Sequence, residues 1–144
     1  MNYQETIDFL IGQLPMYQRT GKAAYKEGLE NTYMLDAYFY SPHQKYPNVH
    51  VGGTNGKGSV CHMLASVLQK AGYKVGLHTS PHLVDYRERI RVNGKMICRK
   101  AIMDFTSKHK NYFSKLKPSF FEMSVFMAFD YFAQEKVDIG IIEV

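Results

Sequence analysis

Seven consecutive residues carry the densest chemistry in the chain: Gly53, Thr54, Asn55, Gly56, Lys57, Gly58 and Ser59. Three glycines let a backbone curl until successive N–H groups point inward and form an anion nest. A helix that starts directly after such a turn adds its unbonded first N–H groups and the positive end of its dipole. Lys57 can reach over a bound polyphosphate, and Ser59 can present a hydroxyl to a magnesium ion. The generic phosphate-binding loop reads G-x-x-x-x-G-K-[ST]. Here Gly58 separates the lysine from the hydroxyl, so that pattern is missed by one residue. A glycine-rich turn with no ligand is the plain alternative, but it leaves the Thr, Asn, Lys and Ser without a reason.

Magnesium bound with ATP takes hard oxygen ligands. Besides Ser59, two residues qualify: Ser80, just past a short apolar run, and Glu143, near the end of another. A carboxylate closing an apolar strand is costly to bury without a partner. Ser59, Ser80 and Glu143 are far apart in sequence and meet only if their strands end at one edge of a parallel sheet, where open α/β sheets bind ligands.

The sequence supplies such strands. Residues 49–52 read as a strand, 59–71 as a helix ended by Gly72, and 74–78 as a second strand. Strand, helix, strand within about thirty residues is a βαβ unit, which requires parallel strands. Residues 80–88 read as a loop. Residues 89–92 and 95–98 flank Asn93-Gly94, the strongest two-residue hairpin signal. Residues 99–112 read as a helix with Ile102, Met103, Phe105 and Phe113 as apolar contacts. Residues 119–135 read as a second helix, with Phe121, Val125, Ala128, Phe129 and Phe132 on one face. Ser119 and Glu122 have the spacing of a capping box at its start. Residues 137–144 form the last strand. Upstream, Ile7, Leu10, Ile11 and Leu14 give a helix over residues 1–14 that Pro15 ends, and residues 17–28 read as a loop. Asn31 or Thr32 would cap a helix reaching about Tyr40, before the breaks at Pro42 and Pro47. The expected class is α/β: a mostly parallel sheet with helices on both faces, of P-loop NTPase type, plus a short hairpin. Residues 1–48 would be a helical segment leading into an ATP-binding domain over 49–144.

At 144 residues, 45% of them hydrophobic and 22% charged, the chain can bury a core and matches ordinary globular composition. No apolar run approaches a membrane span. The first five residues have neither the basic nor the apolar region of a secretory signal. Cys61 and Cys98 lack metal-type spacing, and Cys61 is expected to be a small buried residue of the helix after the loop. These features favour the cytoplasm. A net charge of +5 suits anionic ligands, and a solvated lysine-rich surface accounts for it equally well. The lysines are scattered and no nucleic-acid module is present. His50, His62, His78 and His82 lack the spacing of a zinc site.

The loop G-T-N-G-K-G-S resembles that of the folylpolyglutamate synthase and dihydrofolate synthase family, within the Mur ligase group. Four further blocks are similar: Thr79-Ser80-Pro81-His82-Leu83, Glu88-Arg89-Ile90, Phe120-Phe121-Glu122 and Ile142-Glu143-Val144. The likeness spans nearly the whole chain, most clearly from His50 onward. It implies an ATP-dependent ligase that converts a folate or dihydropteroate carboxylate to an acyl phosphate, which the amine of L-glutamate then attacks. By resemblance, Thr54, Asn55, Gly56, Lys57, Gly58 and Ser59 bind the nucleotide, with Lys57 also catalytic. The resemblance gives magnesium to Ser80 and Glu143, with a further histidine ligand beyond residue 144, and the loop hydroxyl of Ser59 would join them. Ser119, Phe120, Phe121 and Glu122 fall in the pterin pocket, where Phe121 would stack on the ring.

Residues 84–90 resemble the mobile loop bordering the folate site. Arg87 and Arg89 there are either contacts for an anionic substrate or solvated loop charges, and His82 is expected to be structural. Gly28-Leu29-Glu30-Asn31 departs from the family's G-L-E-R, since the arginine is missing. The partners implied are small molecules, with no nucleic acid and no membrane, and a monomer at full length. Because the family continues past this point through a G-G-R-x-D-x-T-N segment, the chain is expected to be an N-terminal part that lacks complete turnover alone. Two other readings remain open. One is a muropeptide-type ligase acting on a UDP-linked sugar acid, against which Gly58 and the Phe-Phe-Glu block argue. The other is a nucleotide-binding module without catalysis.

Overall fold

The computed structural model describes residues 1–13 and 28–144. Leu14, the stop at Pro15 and most of the loop expected over 17–28 lie outside the described residues. The chain forms two compact units. One comprises Met1–Tyr40 with Arg99–Met127, and the other Ser41–Cys98 with Ala128–Val144.

The second unit holds the sheet. Its strands are β1 (Asn48–Val51), β2 (Val75–His78), β3 (Ile90–Val92), β4 (Lys95–Met96) and β5 (Ile139–Glu143), in the spatial order β1-β5-β2-β3-β4. β5 runs parallel to both β1 and β2, while β3 and β4 add antiparallel strands. The βαβ unit over β1 and β2 therefore has the expected direction, but its two strands are not neighbours, because β5 lies between them. The sheet is mixed, with a parallel core.

Helix α3 (Lys57–Lys70) covers one face, where Cys61 and Ala65 pack with Val75, Leu77 and Ile141. On the other face Gly76 and Gly140 sit side by side in register. A Cβ on Gly76 would come 2.7 Å from the Phe132 ring, so the glycine is there for the close approach of that ring. Phe132 belongs to α5 (Phe120–Gln134), so helices flank the sheet on both faces. The hairpin turn is as expected: Asn93 and Gly94 both have positive φ, +49° and +78°, as a two-residue I′ turn requires. Asn93 also accepts a hydrogen bond from the Val75 N–H through its side chain, 2.9 Å, which ties the hairpin to β2.

The first unit is helical. α1 (Tyr3–Gly12) starts in a capping box between Asn2 and Glu5 and buries Thr6 and Leu10. α2 (Glu30–Tyr38) follows, and α4 (Arg99–Leu116) buries Ile102, Phe105, Thr106, His109 and Phe113, a single helical stripe. Phe39 stacks on Phe105 at 5.4 Å and on Phe126 at 5.8 Å.

Two local expectations are corrected. Neither Asn31 nor Thr32 caps α2: the helix begins at Glu30 behind Leu29, without a side-chain cap. Thr32 instead donates its hydroxyl to the Glu122 carboxylate, at 3.2 Å. The expected face of α5 holds only in part: Ala128 and Phe132 are buried, but so are Phe120, Met123, Phe126 and Met127, while Phe121 is 54% exposed. That helix is apolar nearly all round, so periodicity alone could not choose its inner face.

Candidate functional site

The glycine loop leaves β1 at Val51, which pairs in register with Glu143 on β5. On the other side of β5, His78 of β2 pairs with Ile142, so Thr79 and Ser80 follow at the same edge. The strand order thus places residues 52–59, Glu143 and the Ser80 segment in a row at the C-terminal ends of three parallel strands.

The loop has the expected backbone. Gly53 and Gly56 have φ of +148° and +76°, conformations that other residues resist, and Gly56 is the N-cap of α3. No side chain caps that helix. Its first N–H groups consequently face outward as donors. Lys57 folds back across the loop: a Cβ on Gly53 would come 3.9 Å from Lys57 Cγ. Thr54, Asn55 and Ser59 are exposed, and Lys57 and Gly58 half-buried.

Gly58 is a neighbour of Glu143: a Cβ on the glycine would stand in ordinary van der Waals contact with Glu143 Oε2, at 3.7 Å. The glycine that breaks the generic pattern is the one facing Glu143. Glu143 itself is only 8% exposed. Among the described residues its carboxylate has no hydrogen-bond donor or cation paired with it. Its charge, after burial, helps push the Cys61 thiol above its ordinary pKa. The hydroxyls of Ser59 and Ser80 and the carboxylate of Glu143 are hard oxygen donors of the kind magnesium takes, and the unpartnered carboxylate at this edge fits a cation.

The Ser80 segment is tightly built. Its peptide bond to Pro81 is cis. Thr79 N–H donates to the Arg89 carbonyl at 3.1 Å, and the Thr79 hydroxyl to the Glu88 carbonyl at 3.4 Å. The Glu88 carboxylate accepts from the N–H groups of Leu83, Val84 and Asp85, at 2.9, 3.0 and 2.6 Å. These bonds hold its pKa below the usual carboxylate range. Arg89 Nε donates to His82 Nδ1 at 2.6 Å. Burial, reinforced by the Arg89 charge, lowers the His82 pKa, so its ring stays neutral as an acceptor.

Arg89 is therefore no solvated loop charge. It is 5% exposed and bound within the loop. Arg87 pairs with Asp85 at 2.8 Å. Glu88 escaped the residue-by-residue reading, although Asp85 and Glu88 show capping-box spacing and do form that box on a 3₁₀ turn over Tyr86–Arg89.

In the helical unit, Ser119 and Glu122 form the expected capping box: Glu122 N–H donates to Ser119 Oγ at 3.1 Å, and Ser119 N–H to Glu122 Oε2 at 2.7 Å. With Thr32 on its other oxygen, the Glu122 carboxylate is held by protein donors on both sides. Phe120 is 2% exposed and supports Phe121 edge-on at 5.7 Å. Phe121 is the side chain of this segment that meets solvent.

A parallel-stranded α/β unit with a glycine loop opening an uncapped helix, and an acidic strand end beside it, has the architecture of a P-loop-type unit. No family model matches the chain. Individual proteins do. A probable bifunctional folylpolyglutamate synthase/dihydropteroate synthase of Haloferax volcanii is 36% identical over 149 residues, covering 100% of this chain and 17% of that protein. The dihydrofolate synthase/folylpolyglutamate synthase of Bacillus subtilis is 36% identical over 148 residues, covering 98% of this chain and 33% of the relative. Among solved structures, a folylpolyglutamate synthase complexed with AMPPCP and folate superposes with a TM-score of 0.85 at 31% identity, covering 100% of this chain and 35% of that one. The chain belongs to the folylpolyglutamate synthase/dihydrofolate synthase family, and it spans a third or less of the length of these two curated relatives.

Proposed function

We propose that this chain carries the ATP-binding part of a ligase that joins L-glutamate to the carboxylate of a folate or a dihydropteroate. The observation that carries the reading is the buried Glu143 carboxylate against Gly58, unpartnered among the described residues, at the mouth of an uncapped helix behind a glycine loop. The relatives' names and the complex with AMPPCP and folate support the choice of substrates.

In this reading the N–H groups of residues 53–59 and the α3 dipole hold the polyphosphate. Thr54, Asn55, Gly56, Gly58 and Ser59 shape the cradle. Lys57 lays its ammonium over the phosphates and stabilises charge on the phosphoryl group in transfer. Ser59, Ser80 and Glu143 would hold magnesium, which neutralises charge on the phosphate oxygens when bound. The acceptor carboxylate attacks the γ-phosphorus and ADP leaves. The glutamate amine then attacks the acyl carbon, phosphate departs, and the amine proton passes to solvent. Phe121, exposed on α5, offers a ring face to the pterin, with Ser119, Phe120 and Glu122 fixing the start of the helix beneath it. The two free cysteines suit a reducing compartment, in keeping with a cytoplasmic protein.

The test has two parts. Titration of the chain with a fluorescent ATP analogue should show binding that magnesium strengthens and EDTA weakens. In a protein of the relatives' length carrying these residues, phosphate release with ATP, magnesium and L-glutamate should require dihydropteroate or tetrahydrofolate. Release with a UDP-muramyl acceptor instead would establish the muropeptide reading. ATP binding with no turnover on any acceptor would leave a nucleotide-binding module.

A further inference from the structure

Ser80 and Pro81 are flanked on both sides by residues tied to a single dipeptide, Glu88-Arg89. Before them, Thr79 is bound through its N–H and its hydroxyl to the main-chain carbonyls of Arg89 and Glu88. After them, His82 accepts from the Arg89 side chain, and Leu83, Val84 and Asp85 all donate to the Glu88 carboxylate. We propose that Glu88 is a positioning residue, whose carboxylate fixes the loop that aims the Ser80 hydroxyl at the metal position beside Glu143. The inference rests on the metal role given to Ser80 in the proposed function.

Loops are the most mobile segments of a fold, and a ligating hydroxyl two residues past a strand end has little to hold it. Leu83 and Val84 cannot anchor this loop by packing, since they are 90% and 92% exposed. Three backbone N–H groups converging on one carboxylate replace that packing with charge-assisted hydrogen bonds. The short separation between Asp85 and Glu88 closes a box that also fixes the 3₁₀ turn leading into β3. Glu88 lies in the outer layer of the site, and groups in such a layer orient ligands they do not themselves replace.

The test is a double-mutant cycle on the chain, with Glu88→Gln, Ser80→Ala and the pair, reading the magnesium concentration that half-saturates ATP-analogue binding. Amide hydrogen exchange without ligand and thermal unfolding accompany it. Glu88→Gln removes the charge while keeping the shape. It should speed exchange at Leu83, Val84 and Asp85 and raise the magnesium requirement about 10–100-fold, the usual cost of losing an orienting partner. The pair should be no worse than Ser80→Ala alone, because Glu88 acts through Ser80. If Glu88→Gln destabilises the fold, Glu88→Asp, one methylene short of its three donors, gives a graded version of the same readout. A wild-type magnesium requirement in both Glu88 variants, with Ser80→Ala impaired, overturns the positioning role and leaves the metal site standing. A wild-type requirement in Ser80→Ala removes the metal role of the serine, and with it the positioning role.

Discussion

Glu143→Gln should make the unliganded chain more stable and the liganded chain less so. In the absence of ligand, wild type keeps a carboxylate 8% exposed, near the first turn of α3, without a protein donor among the described residues. An unmade hydrogen bond at a buried group costs about 1–3 kcal/mol, more if charged. Residual solvent access argues for the lower end here. The amide keeps an unmet acceptor but carries no charge, so the glutamine should gain only the charge-dependent part of that cost, about 1 kcal/mol, or roughly 2–4 °C in melting temperature for a chain of this size. With magnesium and ATP at a hundred times the wild-type Kd, wild type gains about 2.7 kcal/mol. If the variant binds a hundredfold more weakly, as loss of a ligand in a metal site can cause, it gains only about 0.4 kcal/mol. The two stability curves should then cross as magnesium-ATP is added. Urea denaturation at a series of ligand concentrations, with an EDTA control in which both proteins respond alike, reads this directly. A Glu143→Gln chain that is less stable without ligand, or whose response to magnesium-ATP matches wild type, would refute the reasoning.

Other outcomes follow from the packing. Gly76→Ala puts a methyl 2.7 Å from the Phe132 ring and should destabilise by about 1–3 kcal/mol in urea titration. Adding Phe132→Leu should make the combined loss smaller than the sum of the two single losses. Thr32→Val removes the donor to Glu122 and should cost about 0.5–1.5 kcal/mol, with no change in ATP-analogue binding. His109 is buried among Phe39, Phe105 and Phe113, and its Nδ1 meets the Tyr38 hydroxyl at 2.8 Å. Burial, with Lys108 nearby, pushes its pKa from 6.5 down to about 4. The unfolded chain then binds a proton between about pH 6.5 and 4 that the folded chain does not, so stability is full above that window and falls as pH drops through it. His109→Phe should flatten this part of the pH–stability profile by up to one proton.

The glycine loop at the sheet edge was legible because its signals are local and redundant. Gly53 and Gly56 announce a turn that only glycine makes easily, and the βαβ periodicity around them places it on a sheet edge. Asn93-Gly94 was equally readable, since one turn type nearly dictates that pair. The sheet order was not readable: nothing in residues 137–144 says that they insert between two earlier strands rather than add at an edge. The inner face of α5 was only half readable because apolar residues surround the helix: Ala128 and Phe132 of the expected face are buried, while Phe121 of the same face is on the surface. The contact between Thr32 and Glu122 crosses most of the chain, and no short-range pattern encodes it. Arg89 looked like a solvated charge because burial of an arginine is set by what its loop folds onto, here His82.

The insertion of β5 between β1 and β2 also fixes when the site can come into being. Val51 and Glu143 are register partners, yet about ninety residues of chain separate them. Until β5 docks, β1 and β2 have no common neighbour, and the glycine loop and the Ser80 segment hang from strands that do not touch. Closing so long a loop is a slow, late event. On the proposed function, nucleotide would therefore favour the finished sheet without helping to build it, and a chain emerging during synthesis would gain its ATP site only once its last described strand has found its place.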